Sequence, residues 1–345
     1  MAPGARRGIV RMHYESQNLQ RAAISKQHIV RTNDATAREP MFNVRIAEWR
    51  MEAGLSFLVG KAVVITGAGS GLGAAYARHA GRLGAELLLN DVNAEAVEAV
   101  AAEIRGAGGK AVCFPGSIGS WDYAERLIDA CVGEYGRIDG LVNNAGILRH
   151  GRITEVTEHD FRNMLDVNTL GTAGCAAHAA RHMLRQGTPG SIVNVASGSQ
   201  AGDIALGAYG ASKAAVASLT YSWAMELRDT NVRVNAMSPL AGTAMAGTNM
   251  QYLAQQSANR EVVYTTLPPA EISAPLAAYL LSDRSIGVNG QLVRIAGEEL
   301  SFVTHPLIAQ PVLRGTWTDD AIDDGFRTVL TARQCKLGLA YQQAD

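Results

Sequence analysis

The chain has 345 residues, 47% hydrophobic and 18% charged, which is enough apolar material for a large core and excludes a disordered protein. Lys and Arg number 31 against 32 Asp and Glu, so no net field draws it to nucleic acid or anionic lipid, and neither partner is expected. No apolar run approaches the roughly 18 residues of a membrane helix. Four widely spaced cysteines, Cys113, Cys131, Cys175 and Cys335, form no CxxC pair and no zinc-type cluster. They read as buried apolar groups in a reducing compartment, so a cytoplasmic location and no metal are expected.

Residues 1–57 carry no sustained apolar periodicity, and up to Arg50 nine basic residues face four acidic ones. This stretch is expected to be an N-terminal extension, either disordered or the product of an upstream start ahead of Met51; a targeting or partner-binding arm is the alternative. From Lys61 the pattern turns regular. Short apolar runs at Ala62–Thr66, Glu86–Asp91, Lys110–Phe114, Gly140–Asn143, Ser191–Val195, Val232–Met237 and Gln291–Ile295 predict seven strands. Between them, Ala74–Leu83, Ala94–Arg105, Asp122–Tyr135, Phe161–Gln186 and Ala211–Asp229 predict helices. This alternation implies an α/β fold: one doubly wound, Rossmann-like parallel sheet of about seven strands with helices on both faces, over residues 58–297. Leu240–Pro269 reads as an irregular loop in which Met245, Met250, Tyr252 and Leu253 are candidates for lining an apolar pocket. Residues 298–345 read as a C-terminal extension with a helix from the N-cap Thr318 to about Arg333.

Thr66–Gly73 reads TGAGSGLG between the first strand and the first helix. Gly67, Gly71 and Gly73 let the backbone turn tightly and approach a pyrophosphate, while the helix start offers unpaired N–H groups. Ser70 and Leu72 belong to the same turn. Asp91 ends the second strand 18 positions after Gly73, placed to accept hydrogen bonds from ribose hydroxyls and to repel a 2′-phosphate. NAD rather than NADP is the expected cofactor. Tyr209 and Lys213 stand four residues apart, one helical turn, so an ammonium accompanies a phenol and should lower its pKa toward neutrality. Ser197 closes the fifth strand, at the sheet edge where such folds hold ligands.

These motifs, with NNAG at Asn143–Gly146, VNTLG around Asn168, NVAS ending at Ser197 and YGASK at Tyr209–Lys213, resemble the classical short-chain dehydrogenases/reductases over about Lys61–Gly297. The resemblance implies an NAD-dependent oxidoreductase with Tyr209 as the proton-exchanging group. It implies that Lys213 holds the nicotinamide ribose, that Ser197 polarises the substrate oxygen, and that Asn168 bends its helix and carries a water toward Lys213. Asn143, Asn144, Ala145 and Gly146 would support the cofactor and the sheet, and Pro239 would follow the sixth strand beside the nicotinamide. Ser199 is a rival to Ser197, at a shorter interval from Tyr209. Ser117 stands where the family often has an Asp contacting adenine, and Pro239-Leu240 replaces a Pro-Gly. The Ala- and Gly-rich helices Phe161–Gln186 and Ala211–Asp229 would pair across a two-fold axis, giving a homodimer or homotetramer.

The substrate stays open among steroid, aromatic and 3-hydroxyacyl-CoA classes. NNAGILR, SPLAGTAM and the long tail resemble the hydroxyacyl-CoA dehydrogenase domains of peroxisomal multifunctional proteins. Alternatives of other classes are a non-catalytic NAD(H)-sensing protein and an epimerase or dehydratase using NAD transiently. His178 and His182, at i, i+4, have no third ligand near in sequence, and His305, beside Pro306, reads as a surface or packing group, with capping of the substrate pocket as the alternative.

Overall fold

The computed structural model describes residues 56–254, 267–335 and 337–341. The proposed N-terminal extension lies outside them up to residue 55, as does the side chain of Leu253. Eight strands form one sheet in the order β3-β2-β1-β4-β5-β6-β7-β8. They are β1 (Ala62–Thr66), β2 (Glu86–Asn90), β3 (Lys110–Cys113), β4 (Gly140–Asn143), β5 (Gly190–Val195), β6 (Val232–Leu240), β7 (Leu292–Ala296) and β8 (Glu299–Val303). The first seven are parallel, as the apolar runs predict, and β8 pairs antiparallel with β7. Expectation and structure differ at that edge, where the extension adds a strand.

Alternation along the strands decides which helices cover which face. Val63, Ile65, Leu87 and Leu89 pack under α1 (Gly71–Arg82), α2 (Ala94–Gly106) and α8 (Ala274–Leu281). Val64, Leu88 and Leu141 point the other way, under α3 (Trp121–Tyr135), α5 (Thr172–Gln186) and α6 (Gly207–Glu226). Each such side chain is fully buried, which stabilises by roughly 1.5–3 kcal/mol relative to exposure. Local signals set the ends: Asn93 caps α2 by accepting from the Ala96 N–H at 3.0 Å, and Gly136 closes α3 at φ +73°.

The predicted long helix Phe161–Gln186 is interrupted. It runs as α4 (Glu158–Leu165), a π-helical turn over Asp166–Gly171, then α5. Within the irregular loop, Ala244–Ala254 forms α7. In the tail Thr318 does cap a helix, α9 (Asp319–Gly325), accepting from the Ala321 N–H at 3.2 Å, and helical turns continue to Arg333. None of the described helices is long and apolar enough to cross a membrane. Because β4 lies on the opposite side of β1 from β2, the sheet order reverses between β1 and β4. That switch opens a crevice at their carboxyl ends.

Candidate active site

The crevice floor is built from backbone. Gly67 (φ +65°) and Gly71 (φ +52°) turn the chain between β1 and α1 in the left-handed region. A Cβ on Gly73 would lie 2.1 Å from the Gly67 carbonyl oxygen, so only glycine fits there. Asn144 pins this turn to the end of β4, donating from Nδ2 to the carbonyls of Thr66 and Gly67, each at 3.0 Å. Thr66 Oγ1 in return accepts from the N–H groups of Asn144 and Ala145, both at 3.1 Å. At the start of α1, Ser70 makes no side-chain cap hydrogen bond and no acidic residue occupies the first turn. The helix therefore presents its N–H groups and partial positive charge to the crevice, the arrangement that receives a pyrophosphate. Leu72 follows in the same turn.

Asp91 stands at the end of β2, its Oδ2 accepting from Gly69 N–H at 2.9 Å and its Oδ1 from Asn93 N–H at 3.0 Å. Each carboxylate oxygen retains a lone pair for a ribose hydroxyl. Ser117 is exposed beyond β3, with its Oγ accepting from Gly119 N–H at 3.3 Å. Pro239 lies near the end of β6, and the loop beyond it brings the Thr243 methyl to 3.2 Å from where a Cβ of Gly71 would be. These residues fit a nicotinamide dinucleotide: an uncapped helix start behind a glycine turn, and a carboxylate bonded to that turn with acceptor capacity to spare for a ribose.

Four further side chains converge at the carboxyl edge. Ser197 follows β5 in extended conformation and shares a hydrogen bond with the Tyr209 phenol. Ser199, its rival, gives its backbone N–H to Ser197 Oγ at 3.2 Å. Tyr209 and Lys213 lie on α6, buried to 9% and 4% exposure. Lys213 Nζ sits 5.9 Å from the Tyr209 ring centroid and donates to the Val195 carbonyl at 2.7 Å. Burial pushes the ammonium down to about 8. Burial also raises the Tyr209 phenol above its usual value, and the Ser197 hydrogen bond opposes this. The expected lowering of Tyr209 by Lys213 is not met in this arrangement: burial of the phenol is the largest influence, and the group that opposes it is Ser197.

Asn168 sits in the π-helical turn, fully buried. Its Oδ1 accepts from Ile147 N–H at 2.8 Å, and its Nδ2 donates to the Ile147 carbonyl at 2.9 Å and to Ser212 Oγ at 3.0 Å. The helix takes a π-helical turn around Asn168, and the amide clamps the backbone after the NNAG motif. A Cβ on Gly146 would approach Asn168 Oδ1 at 3.2 Å and Lys213 Nζ at 3.6 Å, so Gly146 keeps the space between them.

Sequence reasoning named Asn143 as a support of the sheet but passed over Ser212, Asn194 and Thr220. Ser212 donates to the Tyr209 carbonyl at 2.7 Å while receiving Asn168. Asn143 joins β4 to β5 by donating to Asn194 Oδ1 at 2.9 Å, and Asn194 donates to Thr220 Oγ1 on α6 at 2.9 Å. Two Asn in otherwise apolar, doubly buried strands are the signal that would have found this chain. Of the loop candidates, Met245 is 36% exposed, while Tyr252 stacks on His150 at 4.2 Å between centroids. Histidines 178 and 182 face acidic side chains of α3, with His182 Nε2 at 2.8 Å from Asp129 Oδ1.

A family model described as short chain dehydrogenase matches residues 61–257. The chain belongs to the short-chain dehydrogenase/reductase family of oxidoreductases. It is 34% identical over 240 residues to the cis-4-hydroxycyclohexanecarboxylate dehydrogenase of Sinomonas cyclohexanicum, covering 69% of this chain and 95% of that one. An NAD+-bound xylitol dehydrogenase superimposes with TM-score 0.65 at 29% identity, over 70% of this chain and 99% of that one. A short chain dehydrogenase from Burkholderia cenocepacia in complex with NADP superimposes with TM-score 0.63 at 28% identity, over 70% of this chain and 98% of that one.

Proposed function

We propose that the protein is an NAD(H)-dependent dehydrogenase/reductase interconverting a secondary alcohol and a ketone on a bulky, apolar substrate. The carrying observation is the convergence of Ser197, Tyr209, Lys213 and Asn168 beside the glycine turn at one sheet edge. Preference for NAD rests on Asp91, whose charge would repel a 2′-phosphate. The family includes neighbours bound to either cofactor.

When bound, the nicotinamide accepts or supplies the hydride. Tyr209 exchanges a proton with the substrate oxygen, and Ser197 holds that oxygen by hydrogen bonding. Lys213 holds the ribose hydroxyls by donating hydrogen bonds to them. Asn168 keeps the Ile147 backbone and Ser212 in register, so Tyr209 and the loop after β4 stay fixed relative to one another.

Assembly as a homodimer or homotetramer through α4, α5 and α6 is part of the same reading. Phe161 and Leu170 are exposed on the α4–α5 unit, and Val156, Phe161 and Leu165 line a shallow recess there. A cytoplasmic location agrees with four unpaired thiols.

The test is NADH formation from NAD by purified protein against hydroxyacyl-CoAs, hydroxysteroids, aryl carbinols and small diols. Tyr209→Phe serves as the control. Turnover should fall by about 10²–10⁴-fold in Tyr209→Phe with NADH binding nearly intact. Appreciable turnover in that variant removes the role given to Tyr209, and silence across the panel with tight NADH binding leaves two readings, a substrate outside the panel or the cofactor-sensing alternative.

A further inference from the structure

The chain continues beyond β7, and its tail returns to the catalytic edge. His305, just after β8, packs on Tyr221 of α6 with ring centroids 4.2 Å apart. Farther on, the tail makes contacts of its own, where Gly325 in α9 lies against Leu313 and Trp317. Its last described residues then lie on the loop between Ser197 and Tyr209. A Cβ on Gly198 would meet Leu339 Cδ2 at 3.0 Å, and one on Gly338 would meet the Gly202 carbonyl oxygen at 3.7 Å. Tyr341 Oη donates to Glu299 Oε2 on β8 at 2.9 Å, which ties the returning segment to the sheet.

These contacts fall on both ends of the short helical turn Gly198–Ala201, whose N-cap is Ser197. Ser197 Oγ accepts from Ser199 N–H at 3.2 Å and its carbonyl from Gln200 N–H at 3.1 Å. The other side of the turn is equally close to α6, where a Cβ on Gly210 would lie 2.5 Å from the Ser199 carbonyl oxygen. The turn is therefore held between the tail and the residue that follows Tyr209. Glycine on the inner side removes any slack, and an apolar leucine closes the outer side.

We propose that Leu339 is a positioning residue: by pressing on Gly198 it fixes the turn that Ser197 caps, and so sets the Ser197 hydroxyl against Tyr209 and the substrate oxygen. The inference rests on the reading of Ser197 as the group that holds that oxygen. Ser197 must point one way to be useful, yet its hydroxyl also caps a turn of only four residues. Such a turn has few hydrogen bonds of its own, and contact from both sides supplies the order it lacks.

The experiment compares the full-length protein with Leu339→Ala, Leu339→Met, Ser197→Ala and the double variant Leu339→Ala/Ser197→Ala. In the best alcohol of the panel, Leu339→Ala should lower kcat about tenfold, leave the NADH Kd unchanged and leave the unfolding midpoint in place. Leu339→Met should restore most of the loss. In the Ser197→Ala background the same Leu339 change should have no further effect, since a residue acting through Ser197 has nothing left to position. Additive losses in the double variant, or kcat unchanged in Leu339→Ala, overturn the proposal. Hydrogen exchange supplies a readout independent of turnover. The amides of Ser199, Gln200 and Gly202 should exchange about tenfold faster in Leu339→Ala while those of β5 do not change. Unchanged exchange at these amides overturns the proposal even if no alcohol turns over, whereas faster exchange without turnover faults the catalytic reading alone.

Discussion

The carboxyl ends of β1, β2 and β4 and the region from β5 onward solve different problems by different means. Around the glycine turn each polar contact has backbone on one side, with the Asn144 amide, the Thr66 hydroxyl and the Asp91 carboxylate on the other. Around Ser197 and α6 contacts between side chains are added, Ser197 with Tyr209, Asn168 with Ser212 and His150 with Tyr252, beside side-chain contacts to backbone such as Lys213 to the Val195 carbonyl. Backbone geometry tolerates almost no substitution, because an added Cβ at Gly67 or Gly73 would meet neighbouring backbone within 3 Å. Side-chain contacts can be exchanged one for another, and the second region is therefore where substrate preference can vary while the cofactor half stays fixed.

Gly73→Ala breaks the first region most directly. Its Cβ would fall 2.1 Å from the Gly67 oxygen, and 2.6 Å from the Asn144 amide that pins the turn. Overpacking of this severity costs about 3 kcal/mol, and NADH binding should be lost. Urea unfolding and NADH fluorescence titration measure the two effects. A variant that binds NADH normally would show that the turn has room it does not display.

Lys213→Met opposes this case, since function and stability should move in opposite directions. Lys213 is held near 8 by burial, against an ordinary value of 10.5. A lysine whose folded pKa is lowered binds fewer protons folded than unfolded between those two values, so its cost to stability is fully present below about 8. That cost is relieved as pH rises toward 10.5. The difference corresponds to about 3 kcal/mol at neutral pH, from which loss of the Val195 hydrogen bond takes back ~1 kcal/mol. Lys213→Met should thus be about 2 kcal/mol more stable at pH 7, inactive, and lose its advantage as pH rises toward 10.5. Equal stability at pH 7 would mean that water or a partner group already compensates the ammonium.

Much of the first region was legible in sequence because its demands are local. β1 and β4 have the predicted bounds, and glycines that must turn at positive φ are visible as letters. Tyr209 and Lys213 were legible for the same reason, being one helical turn apart. The π-helical turn at Asn168 was hidden, since its cause is a pair of hydrogen bonds to Ile147, 21 residues away in sequence. β8 went unseen because Glu299–Phe302 are exposed and so carry no burial pattern. Its one local signal is the Gly297-Glu298 pair between two β-rich runs, with Gly297 at φ +62°. The tail's return to Gly198 has no sequence signature at all, because it depends on tertiary contacts at Tyr221 and Glu299.

Asp91→Asn sharpens the cofactor side with a smaller effect. The amide oxygen can still accept from Gly69, so the turn should survive while the charge is removed. The NAD-over-NADP preference, read as the ratio of kcat/KM values, should shrink about tenfold, the lower end of what a charge-assisted hydrogen bond contributes. An unchanged ratio would move discrimination to another residue. Loss of both cofactors together would mean that Asp91 serves the turn more than the ribose.

The smallest expected effect lies at α7, and it asks whether side-chain contacts near the cleft are as exchangeable as the comparison requires. His150 follows the NNAG loop, and Tyr252 and Asn249 belong to α7. The two rings stack at 4.2 Å with planes 16° apart, and His150 Nε2 lies 2.9 Å from Asn249 Oδ1. A stacked pair contributes roughly 0.5–1.5 kcal/mol, and here both rings are only half-buried, so the lower figure applies. Tyr252→Ala should therefore raise KM about threefold with kcat nearly constant, because the pair holds α7 near the loop without touching Tyr209 or Ser197. Tyr252→Phe keeps the ring and should behave as the parent. If Tyr252→Ala instead lowers kcat and leaves KM alone, α7 shapes the reacting geometry itself. The second region would then be as exacting as the glycine turn, with side chains in place of backbone.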